Sequence, residues 1–229
     1  HHRAVGKEGV SYIDDFEASK TSIDIRNMGA WRLASIPQGQ DDIFQNAFLN
    51  DNLEIGFKRA KLAKDIGADM VMMMPPYHGA LLKGNADQTF EQFRKVNEAE
   101  ITIMVQDAPL SGVDLGVNLL VKMAKEIENV KCFKIECAQA ANKLRVLIHK
   151  GGNVVEGPFD GEEGITLFEY LQAGARGNMS SAMLPDLIGP LVKNYIKGNI
   201  KEAEVEYNRV LPLINYENRQ CGFRATKTV

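Results

Sequence analysis

The chain alternates between two patterns of apolar and polar residues. In stretches such as QTFEQFRKVNEAE (88–100), apolar residues recur every third or fourth position, which predicts an amphipathic helix. A short, nearly continuous apolar run such as ITIMV (101–105) then follows, which predicts a buried strand. From about residue 57 this helix-then-strand unit occurs five times, and each strand ends in polar, glycine or proline residues.

Helices that alternate with buried strands predict a parallel sheet with right-handed crossover connections. Two α/β architectures fit this order, an open doubly wound sheet and a closed (β/α)8 TIM barrel, and both bind ligands at the carboxyl ends of their strands. The residues expected at those ends read PPYHG, QDAPLSG, KIE, EGPFDGEEG and GNMSSAMLPD. No predicted strand leads into GxGxxG or GxxxxGK[ST], which argues against a dinucleotide or nucleotide site.

The two ends of the chain depart from this pattern. Within residues 1–56 only AWRLASIP resembles a strand, and the neighbouring segments are typical of helix or loop. A complete barrel typically needs about 250 residues, so we expect this one to be incomplete in its N-terminal strands. After Asp186 the pattern is helical only. We therefore assign residues 1–185 to the barrel, with 1–56 fitting it poorly, and residues 186–229 to a closing helix and a C-terminal helical appendage.

Charge and composition narrow the possible partners. The chain carries 27 basic and 30 acidic residues, a formal charge of −3, with no block of like charges that would indicate nucleic acid or an anionic membrane as partner. No apolar run reaches the roughly 18 to 20 residues that span a bilayer, and no secretory signal pattern is present. Cysteine, histidine and carboxylate residues show no metal-binding spacing. We predict a cytoplasmic protein with a small-molecule ligand, no metal and no cofactor.

The strand VKCFKIE (130–136) places two charged residues in an apolar setting. Because side chains alternate along a strand, Lys134 and Glu136 share one face with Cys132, and Phe133 and Ile135 occupy the other. A buried charge is costly unless it is paired. The pair is therefore either a structural ion pair or a functional amine, whose desolvation favours the neutral, nucleophilic form needed for Schiff-base chemistry on a keto acid.

Several motifs occur together in one order: GADMVMMMPPYHG, ITIMVQDAPLSG, FKIE, VVEGPFDGEE and GARGNMSSAMLPD. With them, the chain from about residue 57 to its end resembles the dihydrodipicolinate synthase / N-acetylneuraminate lyase family of class I aldolase-type (β/α)8 barrels. The resemblance implies a TIM barrel, a Schiff-base lysine at Lys134, a 2-keto acid substrate and a homo-oligomer, usually a tetramer.

One departure from the family pattern bears on the reaction. Most of the family carries a tyrosine in a YNxP motif where this chain has Gln106-Asp107-Ala108-Pro109. MVQDAPLSG combined with FKIE is similar to the branch that dehydrates 2-keto-3-deoxy sugar acids, which implies conversion of L-2-keto-3-deoxyarabonate to α-ketoglutarate semialdehyde and water. In that reaction Glu136 is the candidate base and later acid. A retro-aldol lyase or synthase on a pyruvate-derived 2-keto acid, and a non-catalytic keto-acid-binding barrel, remain alternatives.

Further candidate residues follow the predicted strands, where a ligand is expected. The predicted substrate-binding residues are Tyr77, His78, Gln106, Gly157, Ser180 and Ser181. Asp160 and Glu162 lie in a polar segment that either closes the site or forms a surface turn. The Gly-Thr-Thr type turn that binds the substrate carboxylate in the family has no counterpart in residues 1–56.

Overall fold

The structure is a computed structural model of the chain. It describes residues 3–5, 11–13, 33–35, 49–75, 77–78, 82–108, 113, 115–179 and 184–222, with positions 224 and 228. For residues before 53, and for 77–78 and 82–83, the description is of the backbone alone.

The strands and helices alternate along most of the described chain. The strands are β1 (Arg3–Val5), β2 (Ser11–Ile13), β3 (Leu33–Ser35), β4 (Met70–Met73), β5 (Tyr77–His78), β6 (Leu82–Lys83), β7 (Thr102–Asp107), β8 (Val130–Ile135), β9 (Glu156–Asp160) and β10 (Gly177–Asn178). The helices are α1 (Leu49–Asp65), α2 (Ala86–Asn97), α3 (Val117–Glu126), α4 (Ala140–Gly151), α5 (Leu167–Ala173), α6 (Pro185–Ile196) and α7 (Ile200–Asn215), and a π-helical turn (Tyr216–Cys221) follows α7. All five predicted helix-strand units are present.

The main sheet has the order β1-β2-β3-β4-β7-β8-β9-β10. Its strands from β3 to β10 run parallel, as the alternation predicts. β1, β2 and β3 pair antiparallel at one edge, and β5 with β6 forms a separate antiparallel pair. AWRLASIP contains β3, so that prediction is confirmed. Residues 11–13 form a strand where the pattern favoured helix or loop, because three residues are too few to establish a period.

The parallel strands separate two apolar layers. One face packs against the helices and includes Val71, Met73, Ile103, Val105, Phe133 and Ile135. The opposite face holds a smaller cluster of Met70, Met104, Cys132 and Phe159, with Met72 and Met179 packed against it. The division within β8 is the predicted one, since Cys132 lies in the smaller cluster and Phe133 and Ile135 lie against the helices.

The two long C-terminal helices, α6 and α7, pack against each other and against α5. They form an apolar cluster of their own, which contains Leu167, Leu191 and Val210. The Tyr207 hydroxyl donates a hydrogen bond to the carbonyl of Ile165, which ties α7 to the segment that precedes α5. Among the helices of the described ranges, none is long and apolar enough to cross a membrane.

Candidate active site

Lys134 lies near the carboxyl end of β8, in the interior of the parallel sheet. Its side chain is 9% exposed, and its Nζ lies 3.2 Å from Oε2 of Glu136, whose side chain is 25% exposed. Glu136 is the first residue after β8, two positions from Lys134, so both side chains leave the backbone on the same face. The structure therefore brings together the two predicted catalytic residues, with a buried amine and a more accessible carboxylate.

Gln106 joins this pair from the neighbouring strand. It is the register partner of Lys134 in the parallel pairing of β7 with β8. Its Nε2 donates a hydrogen bond of 2.9 Å to Oε2 of Glu136. The same carboxylate oxygen thus forms an ion pair with Lys134 and accepts a hydrogen bond from the amide of Gln106. The sequence predicted a contact between Gln106 and substrate, whereas its amide group here contacts the candidate base.

Gly161 lets the turn after β9 approach the lysine closely. Its N–H donates a 3.1 Å hydrogen bond to the carbonyl of Ile135. A Cβ atom at this position would lie 2.8 Å from Cβ of Glu136 and 3.1 Å from Cε of Lys134. Since real Cβ atoms essentially never show contacts under 3.0 Å, any side chain at residue 161 would displace the candidate catalytic pair.

Asp160 is a buried residue rather than part of a surface turn. It ends β9 and is fully inaccessible to solvent. Its Oδ1 accepts a 2.8 Å hydrogen bond from the N–H of Glu162, and its Oδ2 accepts one of 2.6 Å from the side-chain amide of Asn178. Asp160 therefore fixes the turn that carries Gly161 and links it to β10. Burial raises the pKa of its carboxyl group to about 6, against the opposing effect of these two hydrogen bonds.

The raised pKa of Asp160 predicts a specific dependence of stability on pH. A carboxyl group with an ordinary pKa of 3.8 and a folded-state pKa of about 6 binds its proton more tightly in the folded protein. Its contribution to stability is therefore fully present below about pH 4 and is lost as the pH rises through about 6. The loss amounts to about 3 kcal/mol, taking 1.36 kcal/mol for each unit of pKa.

The measurement is urea unfolding of the unmodified protein and of Asp160→Asn between pH 4 and 7. The difference between their free energies of unfolding should change with pH in this window, with the unmodified protein losing more as the pH rises. Asp87→Asn, at an exposed position in the first turn of α2, is the matched control. The same pH dependence in the Asp87 comparison, or no dependence in either, would contradict the assignment to Asp160.

The remaining predicted site residues are placed as follows. Tyr77 and His78 form β5, shortly after the carboxyl end of β4, and the description there is of the backbone. Ser180 and Ser181 lie outside the described residues. Gly157 lies near the amino end of β9, and a Cβ there would meet the ring of Phe159 at 3.0 Å. β9 is the strand that pairs with β8, and the contact of Gly157 with substrate stays a prediction.

Sequence reasoning missed two buried polar contacts that support the site from the helix side. Asp107, at the end of β7, forms an ion pair with Lys143 of α4, with 2.7 Å between Oδ2 and Nζ. The Tyr170 hydroxyl on α5 donates a 2.9 Å hydrogen bond to the carbonyl of Ile135. The sequence pattern could have indicated these contacts. Asp107 is next to Gln106 and Ile135 is next to Lys134, so strand alternation places both on the opposite face, which packs against helices. Across the described ranges, no group of three His, Cys, Asp or Glu residues is arranged to hold a metal ion.

A parallel sheet whose strands are each followed by a helix, with a buried lysine at the carboxyl end of a central strand, is the arrangement of an α/β-barrel protein. The model of the Dihydrodipicolinate synthetase family matches residues 50–229, most of the chain. The chain belongs to this family, as the motifs predicted. Its fold is accordingly that of the (β/α)8 TIM barrel.

Two curated relatives and two solved structures illustrate the similarity. L-2-keto-3-deoxyarabonate dehydratase from Azospirillum brasilense is 49% identical over 172 residues, covering 75% of this chain and 56% of the relative. 4-hydroxy-tetrahydrodipicolinate synthase 1 from Halalkalibacterium halodurans is 22% identical over 169 residues, covering 72% and 55%. The chain thus spans about half the length of these curated relatives.

The solved structures agree on the fold. A putative dihydrodipicolinate synthetase from Pseudomonas aeruginosa has a TM-score of 0.68 at 28% identity, covering 76% of this chain and 59% of that one. Dihydrodipicolinate synthase from Thermotoga maritima has a TM-score of 0.65 at 20% identity, covering 74% and 59%.

Proposed function

We propose that this protein is a hydro-lyase that dehydrates a 2-keto-3-deoxy sugar acid through a Schiff base on Lys134, with L-2-keto-3-deoxyarabonate as substrate. The observation that carries the proposal is the 3.2 Å contact between the buried Lys134 amine and the Glu136 carboxylate at the end of a barrel strand. The 49% identity to the Azospirillum brasilense dehydratase supports this choice of substrate. The products would be α-ketoglutarate semialdehyde and water.

The first step joins the substrate to the lysine. Lys134 gives its proton to Glu136 across their contact and attacks the C2 ketone of the substrate. Glu136 returns the proton to the C2 oxygen, which leaves as water, and an iminium ion forms.

The second step eliminates the hydroxyl group. The iminium ion makes the C3 hydrogen acidic, and Glu136 removes it to give an enamine. The enamine expels the C4 hydroxyl, which takes the proton from Glu136 and leaves as water. C3 and C4 then each gain a proton, while the C5 alcohol gives up one proton from carbon and one from oxygen, so that C5 becomes an aldehyde. Hydrolysis frees Lys134. No oxidant or reductant is consumed.

Location and assembly are proposed from the family resemblance. We propose a cytoplasmic protein that acts on a small 2-keto acid as a homotetramer, without a nucleic-acid or membrane partner and without a cofactor. Light scattering on the purified protein tests the assembly.

The test of function is incubation with L-2-keto-3-deoxyarabonate, with and without borohydride. Borohydride reduces a Schiff base to a stable adduct, which peptide mass spectrometry locates. We expect the adduct on Lys134, and α-ketoglutarate semialdehyde in the sample without borohydride. Pyruvate in place of semialdehyde would favour the retro-aldol lyase, and an adduct without any product would favour the keto-acid-binding barrel. If no 2-keto acid forms an adduct, the Schiff-base mechanism is refuted.

A further inference from the structure

The Glu136 carboxylate is held through one of its two oxygen atoms. Oε2 accepts the amide hydrogen bond of Gln106 at 2.9 Å and lies 3.2 Å from Nζ of Lys134. Among the described residues, these are the side chains that contact the Glu136 carboxylate. Within the described ranges no side chain holds Oε1 of Glu136, so we assign this oxygen to a substrate bound at Lys134.

The neighbouring strand fixes both the backbone and the side chain of Glu136. The N–H of Glu136 donates a 2.8 Å hydrogen bond to the carbonyl of Asp107, and the Gln106 side chain holds the carboxylate. Both contacts come from the end of β7, which is part of the parallel sheet. An amide donates a hydrogen bond without titrating near neutral pH, so Gln106 orients the carboxylate without competing for its proton.

The hydrogen bond from Gln106 gains importance during the reaction. In the free protein the Lys134 ammonium group carries three N–H donors. Once its nitrogen joins the substrate, one N–H remains, and this nitrogen then follows the position of the substrate. Among the described side chains, Gln106 is then the one whose contact with Glu136 does not move with the substrate.

We infer that Gln106 is a positioning residue that turns Oε1 of Glu136 toward C3 of the bound keto acid and so directs proton transfer. This inference rests on the proposed Schiff-base function. A hydrogen bond to a charged group has an effect large enough to change the rate of proton transfer about 10- to 100-fold.

The test separates proton transfer from Schiff-base formation by using pyruvate as the probe. Borohydride trapping after equilibration measures the amount of Schiff base, and exchange of the C3 hydrogens in deuterium oxide measures proton removal. Gln106→Met retains side-chain length and removes the donor. We expect trapping within about two-fold of the unmodified protein and exchange about 10- to 100-fold slower. Gln172→Met, at an exposed position on α5, is the matched control and should change neither.

Gln106→Glu adds a readout that a purely structural role would not change. When the introduced carboxyl group and Glu136 share one proton, the O–H of the introduced group replaces the amide as hydrogen-bond donor. When both groups are ionised, they repel each other. The exchange rate of this variant relative to the unmodified protein should therefore fall about 10-fold or more as the pH rises. The other titratable groups around the pair are the same in both proteins; among the described residues they include Lys134, Asp107, Lys143, Asp160, Glu162, Tyr170 and Cys137.

The outcomes distinguish this inference from the function on which it rests. If the unmodified protein shows neither trapping nor exchange, the proposed function fails and the inference fails with it. If the unmodified protein shows both and Gln106→Met exchanges equally fast, only the inference fails. Loss of trapping in Gln106→Met, or a relative rate of Gln106→Glu that is independent of pH, would overturn the positioning role and favour the direct substrate contact predicted from the sequence.

Discussion

Lys134→Met is expected to abolish the borohydride-dependent adduct and to lower dehydration of L-2-keto-3-deoxyarabonate by at least about 10⁴-fold. Methionine has nearly the length of lysine and suits a buried position, but it offers no amine to attack the C2 ketone. Glu136 retains its hydrogen bond from Gln106 in this variant, so the carboxylate is not left without a partner. Peptide mass spectrometry and a semialdehyde assay measure the two losses.

Lys131→Met is the matched control, because Lys131 lies on the same strand at its amino end. We expect this variant to retain both the adduct on Lys134 and the turnover. Thermal unfolding of both variants shows whether the fold is retained. Full turnover in Lys134→Met with an intact fold would assign the chemistry to another residue and refute the Schiff-base lysine.

Glu136→Gln is expected to form the adduct on Lys134 more slowly but to the same extent after equilibration, while turnover falls about 10²- to 10⁴-fold, the range for loss of a positioned acid–base group. The amide has nearly the shape of the carboxylate and can still accept hydrogen bonds from Lys134 and Gln106. It cannot take the C3 proton or return it to the leaving hydroxyl. The measurement is C3 exchange of pyruvate in deuterium oxide beside steady-state dehydration, and both rates should fall together.

Glu156→Gln controls for the change in charge, because Glu156 is an exposed glutamate at the amino end of β9. It should leave both rates unchanged. If Glu136→Gln exchanged pyruvate hydrogens at the normal rate, Glu136 would be a structural partner of Lys134 and the base would lie elsewhere. This outcome would leave the assignment of Lys134 intact.

The periodicity of the sequence predicted the placement of the catalytic pair because a strand alternates its side chains regardless of tertiary context. VKCFKIE could therefore be divided correctly into a face with Lys134 and a face with Phe133. The same rule does not specify which residue lies opposite on the next strand. The contact between Gln106 and Glu136 depends on the register of β7 with β8, which the alternation within either strand does not determine.

Asp160 shows why the polar residues at strand ends were harder to interpret. In EGPFDGEEG the aspartate sits among glycine and glutamate residues, a composition typical of an exposed turn. Its burial depends on Asn178, which comes from a different strand and provides the hydrogen bond that a buried carboxyl group needs. Sequence pattern alone does not reveal such a partner.

The first 48 residues gave the weakest predictions for a related reason. Barrel strands are recognised by buried apolar runs at regular spacing, and AWRLASIP is the segment that provides one. The strands described there are three residues each, and β1 and β2 pair antiparallel instead of following the helix-strand unit. Too few residues carry the pattern for either strand to be predicted.

The contact between Lys134 and Glu136 also affects how many protons the site must exchange with bulk water. At rest the pair carries one transferable proton, held on the lysine and neutralised by the glutamate. In the proposed cycle this proton passes to Glu136 and leaves with the first water. The proton that Glu136 then takes from C3 leaves with the second water, and the water that hydrolyses the Schiff base restores the proton of the pair. The substrate thus supplies the protons that its own dehydration consumes. Because the substrate and the water of hydrolysis supply these protons, turnover would be insensitive to the concentration of external buffer.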